Sequence, residues 1–226
     1  MKIGILGTGP VGQAVAARLS ELGHVVLVGT RDPAATLART APGTFGNAPF
    51  KVWWEQHPGV ALGTFAQAAS HGDLVVNATQ GSASLEALKA AGERELAQKI
   101  LVDMANPLDF SKGLPLSLTV CNDDSLGEQI QRAFPLTKVV KTLNTMYASL
   151  VVAPRQLADG GHTVFVSGND GSAKAMVIAL LESFGWHDIF DLGDITTARG
   201  PEMMLPIWVR IFGATQSPMF AFKLVR

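Results

Sequence analysis

Lys2-Ile3-Gly4-Ile5-Leu6-Gly7-Thr8-Gly9-Pro10-Val11-Gly12 opens the chain and decides how the rest is read. The apolar run Lys2 to Leu6 is strand-like, and after the turn Val11, Ala14, Val15, Leu19 and Leu22 recur at helical spacing until Gly23 closes the helix. A glycine-rich turn alone is weak evidence, but strand, turn and helix in this order predict a dinucleotide-binding motif. The first glycine takes a tight bend, the second lets the main chain approach a pyrophosphate, and the third lets helix and strand pack closely. The amides at the helix start then face the phosphates. The expected contacts are Gly7, Thr8, Gly9, Pro10, Val11 and Gly12.

The second strand, His24 to Gly29, bears on which dinucleotide is bound. An NAD site carries an acid about twenty residues past the glycines for the ribose 2′-hydroxyl, and an NADP site puts a cation there for the 2′-phosphate. This strand runs out as Val28-Gly29-Thr30-Arg31, with no acid. Thr30 offers a hydroxyl and Arg31 a fork of donors for phosphate oxygens. Asp32 directly precedes Pro33, the pairing of N-cap and first helical residue, so it is expected to cap a helix.

Working outward, 226 residues suffice for a full core, as one large domain or one plus a small appendage. The net charge of -1 speaks against nucleic acid or an anionic membrane as partner. One cysteine, Cys121, excludes an intrachain disulfide framework and suits a reducing cytoplasm. The chain starts directly with a strand, so no signal peptide is expected, and no apolar stretch reaches the length of a membrane span. Met203 to Phe212, interrupted by Pro206 and Arg210, is expected to be a helix of a soluble protein.

Strand and helix patterns alternate along the chain. A short helix is expected to about Thr40, then a loop from Ala41 to Pro49 and a short helix carrying Trp53 and Trp54, either as core or as a stacking platform. Strands are expected at Val60 to Leu62, Asp73 to Ala78, Ile100 to Met104, Lys138 to Leu143, Thr163 to Ser167 and Trp186 to Asp191. Helices are expected at Phe65 to Ser70, Ser82 to Ala91, Ser125 to Ala133, Tyr147 to Val152 and Ser172 to Phe184, with a last strand-like stretch at Phe220 to Val225. The alternation implies right-handed crossovers and a doubly wound, mostly parallel α/β sheet. Two of its strands end in polar turns, Asn77-Ala78-Thr79 and Ala105-Asn106-Pro107-Leu108, at the edge where such sheets bind ligands.

Candidate chemistry is sparse. The five histidines show no metal-ligand spacing, and neither a GxSxG elbow nor a nucleophilic cysteine setting is present. Lys141 resembles the general acid of a hydroxyacid dehydrogenase, but too little chain follows for the helical second domain of those enzymes, so it is expected to be structural. No catalytic side chain and no metal ligand is assigned. A dinucleotide fold without an evident acid or base suits chemistry that needs only alignment, such as hydride passing between two stacked cofactors.

The chain resembles the NADP oxidoreductases that use the deazaflavin coenzyme F-420 and, more distantly, the cytosolic reductase domain of the STEAP metalloreductases. Gly7 to Gly12, Gly29-Thr30-Arg31, Asn106-Pro107-Leu108, Lys141-Thr142-Leu143-Asn144-Thr145 and Thr196-Thr197-Ala198-Arg199 ahead of Glu202 and Leu205 carry the likeness almost end to end. The resemblance implies a Rossmann-type NADP-binding domain over 1–144. A small C-terminal α+β extension over 145–226 would form the acceptor cleft and a homodimer contact. It implies that Thr8, Thr30 and Arg31 hold the phosphates, that Ala78 and Asn106 lie by the nicotinamide, and that Asn144, Thr145 and Met146 border the deazaflavin. The chain departs from the family in two places. Asp32-Pro33-Ala34-Ala35-Thr36 lacks the lysine that often follows the arginine, and Asn144 stands where the family has histidine. The expected activity is a cytoplasmic NADPH-dependent reductase of a deazaflavin. FMN, FAD or a flavin-bound metal is the alternative acceptor, and an NADP-sensing binding module the alternative class.

Overall fold

The computed structural model describes residues 1–43, 46–111, 113 and 115–226, so residues 44 and 45 of the predicted loop lie outside it. The first half alternates as the sequence predicts: β1 (Lys2–Leu6), α1 (Pro10–Glu21), β2 (Val25–Thr30), α2 (Pro33–Ala38), α3 (Phe50–Glu55), β3 (Val60–Thr64), α4 (Phe65–His71), β4 (Leu74–Asn77), α5 (Gly81–Ala91), α6 (Glu93–Leu96) and β5 (Ile100–Asp103). A two-stranded antiparallel ribbon, β6 (Leu108–Asp109) with β7 (Ser117–Leu118), follows and was not anticipated, nor was α6. The second half runs α7 (Leu126–Ala133), β8 (Lys138–Thr142), α8 (Ala148–Val152), β9 (Val164–Gly168), α9 (Gly171–Phe184), β10 (Ile189–Gly193), α10 (Arg199–Met203) and α11 (Leu205–Thr215).

Eight strands form one sheet in the order β10-β9-β8-β5-β4-β1-β2-β3. Every neighbouring pair is parallel except β8 and β9. The strand order reverses between β1 and β4, since β2 and β3 build outward on one side and β4, β5 and β8 on the other. β9 and β10 continue the same sheet, so the chain beyond residue 144 is joined to the first 144 residues through the β8–β9 ladder.

The strands are apolar on both faces because helices cover both, as parallel sheets require. Ile3, Ile5, Val76, Val102 and Val140 face a cluster with Val15 and Leu19 of α1, Val151 of α8 and Val177 of α9. The alternate residues Leu6, Val75, Leu101 and Val139 face Ala68 of α4, Leu88 of α5 and Ile130 of α7. Trp53 and Trp54 pack partly buried against the first cluster, and Trp54 Nε1 donates to the Val60 carbonyl at 2.8 Å, so the pair belongs to the core.

Three tail expectations are corrected. Trp186 precedes the last strand, buried with its Nε1 donating to the Val151 carbonyl at 2.9 Å, and β10 starts only at Ile189. The predicted helix over Met203 to Phe212 is two helices that part at Met204, because Pro206 brings no amide to continue the ladder. Phe220 to Val225 forms no strand. Phe222 accepts one ladder-like bond from Thr163 N at 2.9 Å, but the next amide, Leu224, donates at 2.9 Å to the Thr163 hydroxyl. Among the described residues no helix is long and apolar enough to cross a membrane.

Candidate active site

The carboxyl ends of the central strands lie in one row. Leu6 pairs with Gly29 on one side and Asn77 on the other, Asn77 with Asp103, and Asp103 with Lys141. Asn77 lies in this row and the other candidate residues follow it.

At β1 the three glycines have three different reasons. Gly7 has φ +117°, and a Cβ there would sit 2.6 Å from the Ala78 carbonyl oxygen. A Cβ on Gly12 would collide with the carbonyl of Gly7. Gly9, by contrast, is exposed and a Cβ on it would meet nothing within 4 Å. The protein's own packing thus requires Gly7 and Gly12, while Gly9 borders open space at the N-terminus of α1. No side chain caps that helix end, and Pro10 at its start leaves the backbone preset for it. A pyrophosphate fits there: its charge would meet first-turn amides and the positive end of the helix dipole. Thr8 lies in the same turn, its carbonyl held by Gln13 Nε2 at 2.8 Å, and Val11 packs partly buried against the core.

At β2, Asp32 accepts from Ala35 N at 2.9 Å and caps α2 as expected. The Thr30 hydroxyl is buried and bonded to that of Thr36 at 2.8 Å. Arg31 is exposed and makes no ion pair or hydrogen bond with any described residue. It is a free cation beside the turn.

Beyond the switch point the row becomes buried and crowded. Asn77 is wholly buried: its Nδ2 donates to Asp103 Oδ1 at 2.8 Å and Ser84 Oγ at 3.2 Å, and its Oδ1 accepts from the Thr79 hydroxyl at 2.7 Å. It shapes the turn from below, while Ala78 and Thr79 reach the surface in part. The next turn is held the same way. Ala105 N donates to Asp103 Oδ1 at 3.2 Å, the Ala105 carbonyl accepts from Lys141 Nζ at 2.5 Å, and the Asn106 carbonyl accepts from Leu108 N at 2.8 Å. Ala105 and Pro107 are buried; Asn106 and Leu108 are partly exposed.

Lys141 is the centre of this half. Its side chain is 0% exposed and its ammonium lies 2.9 Å from Asp103 Oδ2 and 2.7 Å from Glu202 Oε1. Burial pulls its pKa down, but the two carboxylates prevail and hold it above the ordinary lysine value. The structural role expected of Lys141 is thereby explained. Glu202 also accepts from Leu126 N at 2.8 Å and Gly127 N at 3.0 Å, the first amides of α7, which offset the surplus negative charge of the triad.

Asn144 and Thr145 are buried and Met146 is partly exposed. Asn144 Nδ2 donates to Asn106 Oδ1 at 3.2 Å and to the Pro201 carbonyl at 3.1 Å, and Asn106 Nδ2 donates back to the Asn144 carbonyl at 3.0 Å. Leu143 before it is held at φ +59°, a conformation that costs a leucine about 1 kcal/mol or more, and these bonds keep it there. The geometry thus brings Asn106 and Asn144 together, with α10 behind them.

Sequence reasoning missed Asp103 and did not connect Glu202 to Lys141. The signal was available: a charged residue at the last or last-but-one position of two buried strands, Asp103 in Ile100–Asp103 and Lys141 in Lys138–Thr142, demands a partner of opposite sign. A groove of about 500 Å3 between α1 and α8, lined among others by Arg18, Ser149 and Phe184, contains none of the candidate residues.

Comparison with known proteins bears on the family of the chain. The profile of the family described as NADP oxidoreductase, coenzyme F420-dependent, matches residues 2–107. A solved structure from Arthrobacter sp. FB24, described as a candidate F420-dependent NADP reductase, is 59% identical over the full length of both chains with a TM-score of 0.96. The F420-dependent NADP reductase of Methanocaldococcus jannaschii is 27% identical over 92% of this chain and 91% of its own length. Metalloreductase STEAP3 of Rattus norvegicus is 30% identical over 92% of this chain, which spans 38% of that relative's length. The chain belongs to the family of coenzyme F420-dependent NADP oxidoreductases.

Proposed function

We propose that this oxidoreductase transfers a hydride between NADP(H) and a deazaflavin of the F-420 type. The observation that carries the reading is the contrast along the strand row. Among the described residues Arg31 has no ion-pair or hydrogen-bond partner and follows β2, the strand next to β1 and the uncapped start of α1 at Gly9, whereas Asp103, Lys141 and Glu202 are buried and occupied with one another. The free cation suits a 2′-phosphate, and the occupied charges suit a reaction that asks for alignment rather than a proton donor. NADPH, when bound, supplies the hydride.

In this reading Gly7 to Gly12 seat the pyrophosphate and Arg31 grips the 2′-phosphate, with Thr8 beside the turn. The nucleotide then crosses the switch point so that its nicotinamide half lies over Ala78, Thr79 and the Ala105 to Leu108 turn, with Asn77 shaping that floor. Thr30 acts through Thr36 and the local backbone, since its hydroxyl is turned onto that neighbour. Asn144, Thr145 and Met146 border the acceptor ring, and residues 145–226 supply its side of the cleft. Met219 ties the apolar tail to α8, its sulfur 3.9 Å from Ser149 Oγ. The exposed apolar side chains Ile207 and Phe212 of α11 suit a homodimer contact, and cytoplasmic location fits the single exposed cysteine.

The test is NADPH oxidation followed in parallel with deazaflavin, FMN, FAD and ferric chelates. Preferred turnover with the deazaflavin is expected. Preference for FMN, FAD or a ferric chelate would favour the flavin or metal reading. Tight NADPH binding without oxidation by any acceptor would favour a sensor.

A further inference from the structure

We propose that Glu202 is a positioning residue: acting through Lys141, it sets the Ala105–Asn106 turn that carries the nicotinamide half of the nucleotide. The proposal rests on the NADP reading above and names a part of the site that lies on the far side of the sheet edge from the phosphates.

A dinucleotide crosses a doubly wound sheet at its switch point, so with the phosphates at β1 and β2 the nicotinamide half falls over the ends of β4 and β5. The turn after β5 is therefore part of its floor. Lys141 fixes that turn from beneath by donating to the Ala105 carbonyl while Asp103 takes the Ala105 amide. An ammonium has three donors and no preferred direction of its own, so where it points depends on its acceptors. Two are carboxylates, and one of them, Glu202, arrives from α10, a hundred residues later in the chain than β5.

α10 is itself held in place at its other points. Arg199 meets Glu128 with two bonds, Nε to Oε2 at 2.8 Å and Nη2 to Oε1 at 2.6 Å, and the Pro201 carbonyl accepts from Asn144. Glu202, Lys141 and Asp103 are each at most 1% exposed, so the nucleotide touches none of them. Their effect on it passes through the Ala105–Asn106 peptide and the Asn106–Asn144 pair.

The variant is Glu202→Gln, which keeps the shape but offers one oxygen to the three donors that now share two: Lys141, Leu126 N and Gly127 N. Two ligands are titrated, NADP and 2′-phospho-ADP-ribose, which lacks the nicotinamide. NADP affinity is expected to fall about tenfold, near 1.4 kcal/mol, while 2′-phospho-ADP-ribose affinity stays within about twofold. The fluorescence of bound NADPH, which reports the surroundings of the nicotinamide ring, is expected to shift toward that of free NADPH. Equal losses for both ligands, or no loss for either, would overturn the role. Should the variant fail to fold, Glu202→Asp keeps the charge, and it must show the same selective loss in smaller measure. Wild-type protein that binds NADP but not 2′-phospho-ADP-ribose would count against the phosphate site at Arg31, and the NADPH fluorescence comparison would still decide the role of Glu202.

Discussion

The two halves of the strand row are built on opposite principles. From β2 to β1 the edge is left unfinished: among the described residues Arg31 has no partner, α1 has no side-chain cap and a Cβ on Gly9 would meet nothing within 4 Å. From β4 to β8 the edge is complete: Asn77, Asp103, Lys141 and Glu202 satisfy one another in a chain, Asn144 bonds to Asn106 and the Pro201 carbonyl, and all but Asn106 are buried. A phosphate can supply what the first half lacks. The charges of the second half are occupied, so what it offers a ligand is its shape and the partly exposed Thr79 and Asn106, which suits a surface on which rings are aligned.

The sharpest way to break this contrast is to remove a charge from the completed half. Lys141→Met leaves Asp103 and Glu202 buried without their cation, and about 3–5 kcal/mol of folding stability should be lost. Denaturant unfolding with an unchanged m-value checks this. A loss below about 1 kcal/mol would mean that water already reaches the triad.

In the unfinished half the matching change is Gly9→Val. The side chain enters space that the protein leaves empty, so the fold should keep its stability while NADPH affinity drops at least about a hundredfold, roughly 3 kcal/mol. Calorimetric titration beside a melting curve separates the two effects. The same change at Gly12 should damage the fold itself, because the Gly7 carbonyl stands in the way.

Arg31→Ala is a finer probe. It should cost on the order of 2 kcal/mol in NADPH binding and leave NADH nearly unaffected, since only the 2′-phosphate meets the guanidinium. Equal losses for both nucleotides would assign the arginine to the pyrophosphate instead.

The smallest effect lies outside both halves. His162 is buried edge-on to Trp186, 4.9 Å between ring centroids, and among the described residues neither ring nitrogen has a well-formed hydrogen bond. Burial chiefly, then the charge of His187, lowers its pKa; Lys223 acts in the same direction, and the Leu157 backbone and Asp188 oppose. A depressed histidine pKa means that the unfolded chain takes up a proton before the native one does. Stability is therefore full above about pH 6.5 and declines as pH falls below it. Replacing His162 with Phe should flatten that decline in melting curves taken from pH 7.5 to 5.

How much was legible in advance follows the same division. The bend at Gly7, the close packing at Gly12 and the Asp32 cap are local: each is a backbone demand met within a few residues, and each is found as read. The strand alternation was legible for the same reason, because hydrophobic period acts over one element. The Asp103–Lys141–Glu202 triad joins β5, β8 and α10, and only the register of the sheet shows that Asp103 and Lys141 are neighbours. Asn77 was placed by its position at a strand end, and Asn144 and Thr145 by resemblance; either marks a residue as part of the site. Neither says that the residue is buried beneath it. The split of the last helix and the unpaired tail turned on single residues, Pro206 and Thr163, whose effect depends on where the chain already lies.

The most direct test of the central claim is a single turnover with NADPH carrying deuterium at the transferring position, saturating enzyme and the deazaflavin as acceptor. Direct passage between two aligned rings predicts that the label arrives on carbon in the reduced deazaflavin, with none released to water. Label recovered in the solvent, or a reduced acceptor without it, would contradict the account.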